Sequence, residues 1–388
     1  MAGLLVAVAL TVSACSASGG GQVAAGGKAK PTASTARVEV SPRNGAGKVA
    51  PDERVRVLAA DGTISNVRVT SQDGDAVAGE LSSDRARWTA AQSLTLDTKY
   101  TVHVTAVDDQ GAAKTTKTAF STVEPAATLE TYVAPLEGQT VGVGMPLLVT
   151  LSEPVDNRAA VERALRVEAQ PATEGDWYWL DDQTLRYRPK KFWEPGTDVT
   201  LHVRLTGVDA GGGVWGDETR DIPFDIGDSM VSIVDDNTQM MKVYRNGDHI
   251  RTIPISDGKD GFRTRGGVKV IMSQHRTYDM NSASIGIDPS SAEGYDLSDV
   301  PYAMRVTGSG EFLHAAPWRE SAGVFGVERS SHGCIGMTTA DAAWLYGQSR
   351  PGDVVKVLHS PQPPPPVWNG YSGWNLSWRQ WQKGSALH

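Results

Sequence analysis

Cysteine is scarce in this chain: only Cys15 and Cys334 occur among 388 residues. A fold stapled by several disulfides is excluded. Basic runs are scarce too, with 37 Lys and Arg against 45 Asp and Glu and a formal net charge of -8. Neutralising a phosphate backbone needs clustered cations, so no nucleic acid is expected as a partner. Neither C-x-x-C nor H-E-x-x-H appears, which removes the common zinc signatures. No apolar run is long enough for a stable membrane-spanning helix.

What is present describes a folded chain of several modules. Hydrophobic residues make up 40% and charged residues 21%, with 11 Trp, a balance typical of globular rather than disordered proteins. The length calls for two or three separate cores. The opening MAGLLVAVALTVSAC is an apolar run of export-signal length that closes on Val12-Ser13-Ala14-Cys15. That closure resembles a bacterial lipobox. It implies a lipoprotein signal peptide over residues 1–15, lipidation of Cys15 and an extracytoplasmic protein anchored to the cell membrane. No Lys or Arg precedes the run, so the expected translation start lies upstream of Met1. Residues 16–36 are mostly Gly, Ala, Ser and Lys and read as a flexible tether spanning about 25 Å.

From Arg37 the pattern turns to short alternating runs broken by Asp61-Gly62 and Asp73-Gly74, the chemistry of strands and tight turns. It then repeats. WTAAQSLTLDTKYTVHV from Trp88 lies over YRPKKFWEPGTDVTLHV from Tyr187, so that Trp88 precedes His103 as Tyr187 precedes His202. A seven-stranded sandwich takes about 100 residues, and two immunoglobulin-like β-sandwiches are expected at 37–123 and 124–228. Both histidines read as packing or cross-strand residues. A third, β-rich domain with one or two helices is expected at 229–359. Its signals are a hairpin at Asn246-Gly247 and a helix over TTADAAWLYGQS, capped by Thr338 or Thr339 with Asp341 in its first turn. Residues 360–388 hold a polyproline spacer, then Trp368, Trp374, Trp378 and Trp381. So much indole is costly to expose, and the tail is expected to fold back on the third domain; gripping glycan strands is its other possible use. The fold class is mainly β.

RSSHGCIGM, Arg329 to Met337, sets the second cysteine two residues after a histidine. A thiolate is a nucleophile, and an imidazole can generate it and return the proton to a leaving amine. On an extended segment His332 and Cys334 share a face, and His314 ends the strand-like GEFLH upstream. Spacing alone favours His332 as the partner. Gly333 and Gly336 permit a tight backbone course that aims amide N–H groups at an oxyanion. Zinc ligation by His314, His332 and Cys334 is the competing reading, and it leaves no fourth ligand. A buried core thiol is the third, for which SSHGCIGM is too polar and too rich in glycine.

Together, His314 and Ser331-His332-Gly333-Cys334-Ile335 resemble the signature of the YkuD-type L,D-transpeptidase catalytic domain, a histidine followed downstream by S/T-H-G-C-hydrophobic-N. Two departures stand out: Gly336 takes the place of the usual Asn, and Arg265 that of the Pro in the family's T-P-x-G element. With two preceding immunoglobulin-like domains and a Trp-rich tail, the layout is similar to that of mycobacterial and related actinobacterial members. The resemblance implies Cys334 as nucleophile and His314 as acid/base, oriented by the backbone carbonyl of Ala315, with His332 supporting the site from behind. It also implies a lid carrying Tyr295 and Met280, and substrate-binding roles for Ser309, Gly310, Ser331, Gly333 and Gly336. Losing the Asn amide at Gly336 would cost one substrate contact about 1–3 kcal/mol.

The implied reaction is attack of Cys334 on the L-centre carbonyl of meso-diaminopimelate in a peptidoglycan tetrapeptide stem, D-Ala leaving with a proton from His314. An acyl-thioester results, and the side-chain amine of an acceptor stem converts it to a 3→3 cross-link. The chemistry calls for no metal and no cofactor. Carbapenems, whose acyl group mimics the stem, are the implied inhibitors. Three rivals remain. A sortase is disfavoured by the order of its catalytic residues. An L,D-carboxypeptidase would use water as acceptor on the same fold. A catalytically weak wall-binding lipoprotein is suggested by Gly336 and Arg265.

Overall fold

The computed structural model describes residues 33–388. The apolar N-terminal run, Cys15 and most of the expected tether lie outside the described residues. The end of that tether is already docked: the Thr35 N–H donates to Asp108 at 2.9 Å, and Ala36 is fully buried.

Alternating runs become strands because one face of each carries the apolar side chains. In Lys99–Val107 the buried residues are Tyr100, Val102, Val104 and Ala106, a period of two. One sheet of the first sandwich joins Arg37–Ser41, Arg56–Ala60, Arg87–Ala90 and Gly79–Leu81 in that order, and the other joins Thr63–Ser71, Lys99–Val107 and Ala113–Ser121. Val57, Trp88, Val102 and Phe120 fill the space between. The second sandwich repeats the plan with Thr131–Ala134, Leu147–Leu151, Thr184–Pro189 and Gly175–Trp179 facing Leu165–Gln170, Asp198–Arg204, Thr219–Ile226 and Thr140–Val141. Trp88 and Tyr187 occupy equivalent places, each in the third strand of its sheet, opposite Val57 and Leu147. The histidines sit in cross-strand rows. His202 meets Asp221 at 2.7 Å, while His103 is exposed between Arg68 and Lys117.

The third region has two sheets. Asp248–Pro254, Met240–Arg245, Met230–Asp235, Val354–Leu358 and Gly267–Val270 form one; Ser273–Asn281, Asp296–Arg305, Phe312–Ala315 and Ile335–Met337 form the other. Asn246 and Gly247 turn the first hairpin with φ of 50° and 91°, the left-handed pair that suits right-twisted strands. Of the two candidate caps, Thr338 starts the helix Thr339–Gln348, its hydroxyl accepting the Asp341 N–H at 3.1 Å. That helix packs on Asp296–Arg305 and Phe312–Ala315, sealing a core of Val234, Met241, Ile255, Leu313, Ile335 and Leu345.

The second sandwich presses on the third region backbone to backbone. The Gly142 N–H donates to Pro351 at 2.9 Å and the Gly144 N–H to Gly352 at 2.8 Å. A Cβ on Gly142 would stand 2.3 Å from the Asp353 nitrogen, so only glycine allows the approach.

The tail departs from expectation, because it straddles this junction instead of folding on the third region alone. Arg186 donates to the carbonyls of Val367 and Gly370, and Arg188 to that of Leu376 at 3.0 Å. The Arg188 guanidinium also lies over the rings of Trp374, Trp378 and Trp381. Trp381 is wholly buried, with its ring 4.8 Å from Tyr178 and its indole N–H donating to the Asp176 carbonyl at 2.9 Å. The second sandwich attracts the indoles because its strand Thr184–Pro189 offers guanidiniums that need desolvated partners. Toward the third region, Asn375 exchanges two hydrogen bonds with the Val268 backbone, both at 2.8 Å. Trp368 is 67% exposed, so one of the four indoles goes uncovered after all.

Candidate active site

Two neighbouring parallel strands carry the candidate residues. Phe312–Ala315 pairs with Ile335–Met337 so that His314 faces Gly336 across the ladder, and Cys334 immediately precedes the second strand. His314 and Cys334 thus emerge about two rungs apart. Both line a cavity of about 340 Å³, together with Met280, Tyr295, Ser331, His332 and Gly336.

The turn before the strand is locked by its own polar groups. Gly333 has φ of 117°, which favours glycine. Ser331 Oγ accepts the Gly333 N–H at 3.1 Å and donates to the Cys334 carbonyl at 2.6 Å, while Thr264 donates to the Gly333 carbonyl at 3.0 Å. The Ser331 N–H is held by the Asp257 carbonyl at 3.0 Å, and Gly336 pairs with Ser256 in both directions. Within the turn the Gly333 N–H bonds to Ser331 Oγ and the Gly336 N–H to the Ser256 carbonyl. The Tyr295 hydroxyl, by contrast, has no hydrogen-bond partner among the described residues and faces the cavity. Burial, reinforced by Cys334, pushes its pKa up to about 12, so it stays a donor.

Cys334 is unpaired, and its thiol donates to the Gly310 carbonyl at 3.7 Å rather than to an imidazole. Burial pushes the thiol up to about 11; the Phe312 backbone N–H opposes this, Glu311 adds to it, and Lys269 and Arg305 oppose it. His314 is 5% exposed, and burial holds its pKa below the ordinary 6.5, against the raising effect of its bond to Ala315. Its Nδ1 meets the Ala315 carbonyl at 2.7 Å, which fixes the proton on Nδ1 and leaves Nε2 as the basic atom. Both groups are therefore neutral at rest.

His332 does not lie behind the site. It lines the cavity, with Nε2 2.9 Å from Glu293 and its ring against Tyr295 and Phe262. Glu293 also takes the Lys259 ammonium. His332 thereby joins the catalytic turn to the segment that carries Tyr295, and spacing misled because sharing a face with Cys334 does not orient a ring toward it. Met280 and Tyr295 also line a second cavity of about 190 Å³ with Ser309 and Gly310, so they stand as a partition between two pockets. Gly333 lines neither.

Lys259, Glu293, Trp318 and Arg319 line the larger cavity and were not anticipated. Trp318 stacks on His314 at 5.9 Å and is 44% exposed. Its only signal was a large aromatic residue in HAAPWRE, close after the histidine. Tail residue Asn369 was missed as well: it accepts the Ser309 N–H and donates to the Ser309 hydroxyl, each at 2.9 Å. Among the described residues, no group of three or more His, Cys, Asp or Glu is placed to hold a metal ion.

Comparison with known proteins gives this arrangement its context. Residues 229–357 match the family described as L,D-transpeptidase catalytic domain, and residues 46–209 match a bacterial Ig domain in one stretch that runs across both sandwiches. L,D-transpeptidase 2 of Mycobacterium tuberculosis is 37% identical over 350 residues, covering 90% of this chain and 85% of that protein. L,D-transpeptidase 5 of the same species is 31% identical over 362 residues, covering 90% and 77%. A solved L,D-transpeptidase in complex with imipenem superposes with a TM-score of 0.53 at 34% identity, over 60% of this chain and 100% of that one.

Proposed function

The chain belongs to the L,D-transpeptidase family, and from that premise we propose that it forms 3→3 cross-links in peptidoglycan through an acyl-thioester on Cys334. The supporting observation is an unpaired thiol and a buried neutral imidazole on adjacent strands at one cavity. Sulfur attacks the L-centre carbonyl of meso-diaminopimelate in the donor stem as its proton passes to His314 Nε2. The imidazolium gives that proton to the departing D-Ala amine as the C–N bond breaks. An acceptor side-chain amine then displaces sulfur, returning the thiol.

The resting state constrains the order of events. A thiol near 11 beside an imidazole below 6.5 puts a separated thiolate and imidazolium about 6 kcal/mol or more above the neutral pair, before their mutual attraction is counted. Proton transfer therefore accompanies attack instead of preceding it. The Tyr295 hydroxyl is one donor free to meet the developing oxyanion. Cavities on both sides of the Met280 and Tyr295 partition suit the approach of a donor and an acceptor. The imidazolium left after attack supplies its proton without a metal or cofactor. A relative solved with imipenem supports carbapenems as acylating inhibitors of Cys334. The lipobox-like Val12-Ser13-Ala14-Cys15 supports a lipid anchor that holds the site on the wall side of the membrane.

Incubating the full-length chain with purified disaccharide-tetrapeptide and measuring product masses tests the function. Cross-linked dimer is expected, absent with Cys334→Ala; tripeptide alone would replace the transferase by the carboxypeptidase, and no product by the wall-binding module.

A further inference from the structure

Next to Cys334, but lining neither cavity, lies an ion pair that the reaction above does not use. Lys269 is fully buried and Glu311 is 8% exposed, with Nζ and Oε2 2.8 Å apart. Lys269 comes from the strand Gly267–Val270, whereas Glu311 stands between Gly310, whose carbonyl takes the thiol, and Phe312, the first residue of the His314 strand. The other carboxylate oxygen of Glu311 accepts the Arg265 N–H at 2.8 Å and reaches to 3.6 Å of the space beside Gly333. At position 265 the resemblance leads one to expect proline, which has no N–H to give. Lys269, Glu311 and Arg265 therefore make one unit against the catalytic turn.

Stability is a poor reason for such a unit. Two ions removed from water cost several kcal/mol each, and apolar replacements of similar volume are often neutral or stabilising. The placement suggests a different reason, since charged groups approach the sulfur from three directions: Glu311, Lys269 from the neighbouring sheet, and Arg305 from the strand Asp296–Arg305. Tyr295, His314 and His332 surround it on the cavity side, and Arg265 adjoins Lys269. We infer that Lys269 and Glu311 are a positioning pair that holds Gly310 and the Gly333 turn in register, Lys269 cancelling a carboxylate charge that would otherwise face the nucleophile. This rests on the reading of Cys334 as nucleophile. Glu311 works against ionisation of the thiol, and Lys269 works for it.

Iodoacetamide alkylation of the full-length chain, followed across pH by the mass of the peptide carrying Cys334, reads the thiolate without requiring turnover. Lys269→Met leaves the Glu311 carboxylate alone beside the sulfur, and alkylation between pH 8 and 10 is expected to slow about tenfold, one pH unit in the profile. Adding Glu311→Leu removes both charges and is expected to return the rate to the wild-type value or above. A merely structural pair predicts unshifted profiles, or a double variant as slow as the single one; either result overturns the inference. Should Lys269→Met fail to fold, Lys269→Arg is expected to keep the wild-type profile while Glu311→Leu alone, which leaves the Lys269 ammonium beside the sulfur, moves it to lower pH. No movement of the Glu311→Leu profile, or movement to higher pH, overturns the inference in that case. The two readings fail separately: transpeptidation that survives Cys334→Ala removes the nucleophile, whereas the alkylation profile reports on the pair regardless.

Discussion

Gly336→Asn restores the residue that the family pattern carries, and the structure says what it should do. Gly336 is buried in the strand Ile335–Met337, without a left-handed φ. A Cβ there would meet Ala316 Cβ and the Ser256 carbonyl at 3.5 Å each and Phe325 at 3.9 Å, ordinary contacts that need no displacement. Replacing glycine inside a strand gains about 0.5–1 kcal/mol of backbone entropy. Burying the amide offsets this by about 1–2 kcal/mol, because the nearby Ser256 hydroxyl is already committed to Glu328 and Ser330. Net stability should therefore stay within about 1 kcal/mol of wild type. Position 336 lines the larger cavity, so a bound stem gains a contact of about 1–3 kcal/mol, roughly fivefold or more in kcat/KM. Initial rates of dimer formation from tetrapeptide, with thermal unfolding beside them, make the assay. Gly336→Ala is the control, folding at least as well with no kinetic gain. An Asn variant that folds normally and shows unchanged kcat/KM would refute the argument, as would one several kcal/mol less stable.

The pH dependence is fixed by His314, whose neutral form accepts the proton. Burial lowers its pKa, so the acid limb of kcat/KM should lie below pH 6.5, and a limb at 7 or above would contradict the buried neutral base. The same burial means that the folded state resists protonating His314, so its contribution to stability is held above pH 6.5 and is lost as pH falls further. Trp381→Ala should cost about 3–5 kcal/mol in denaturant unfolding, since losing a wholly buried indole leaves a cavity and gives up its hydrogen bond to the Asp176 carbonyl; a cost under about 1 kcal/mol would show that the tail is not docked. Asn369→Ala should free the Ser309 loop and lower kcat/KM about tenfold by raising KM, with Cys334 alkylation unchanged. Equal kinetics would dissociate the tail from the substrate loop.

Local patterns were legible where the backbone itself demands particular residues. Asn246-Gly247 supplies two left-handed positions, Thr338 supplies a cap, and the equivalent settings of Trp88 and Tyr187 exposed the repeated sandwich. The catalytic turn was legible in composition but not in bonding. Nothing in SSHGCIGM says that Ser331 takes up the Gly333 amide, because that depends on the turn closing on itself. Long-range partners were the least legible. Glu293 comes to His332 from a distant segment, Lys269 to Glu311 from another sheet, and the guanidiniums of Arg186 and Arg188 draw the tail away from the place its indoles suggested. Each of these pairs is set by how sheets stack, and no periodicity along the chain encodes it.

The most direct test is peptide mass mapping after the protein has been mixed with tetrapeptide stem or a carbapenem and quenched in acid. The account predicts a single acyl adduct, on the peptide spanning Arg329 to Met337, that vanishes with Cys334→Ala and forms far more slowly with His314→Ala. An adduct on any other residue, or one that survives the loss of Cys334, would contradict it.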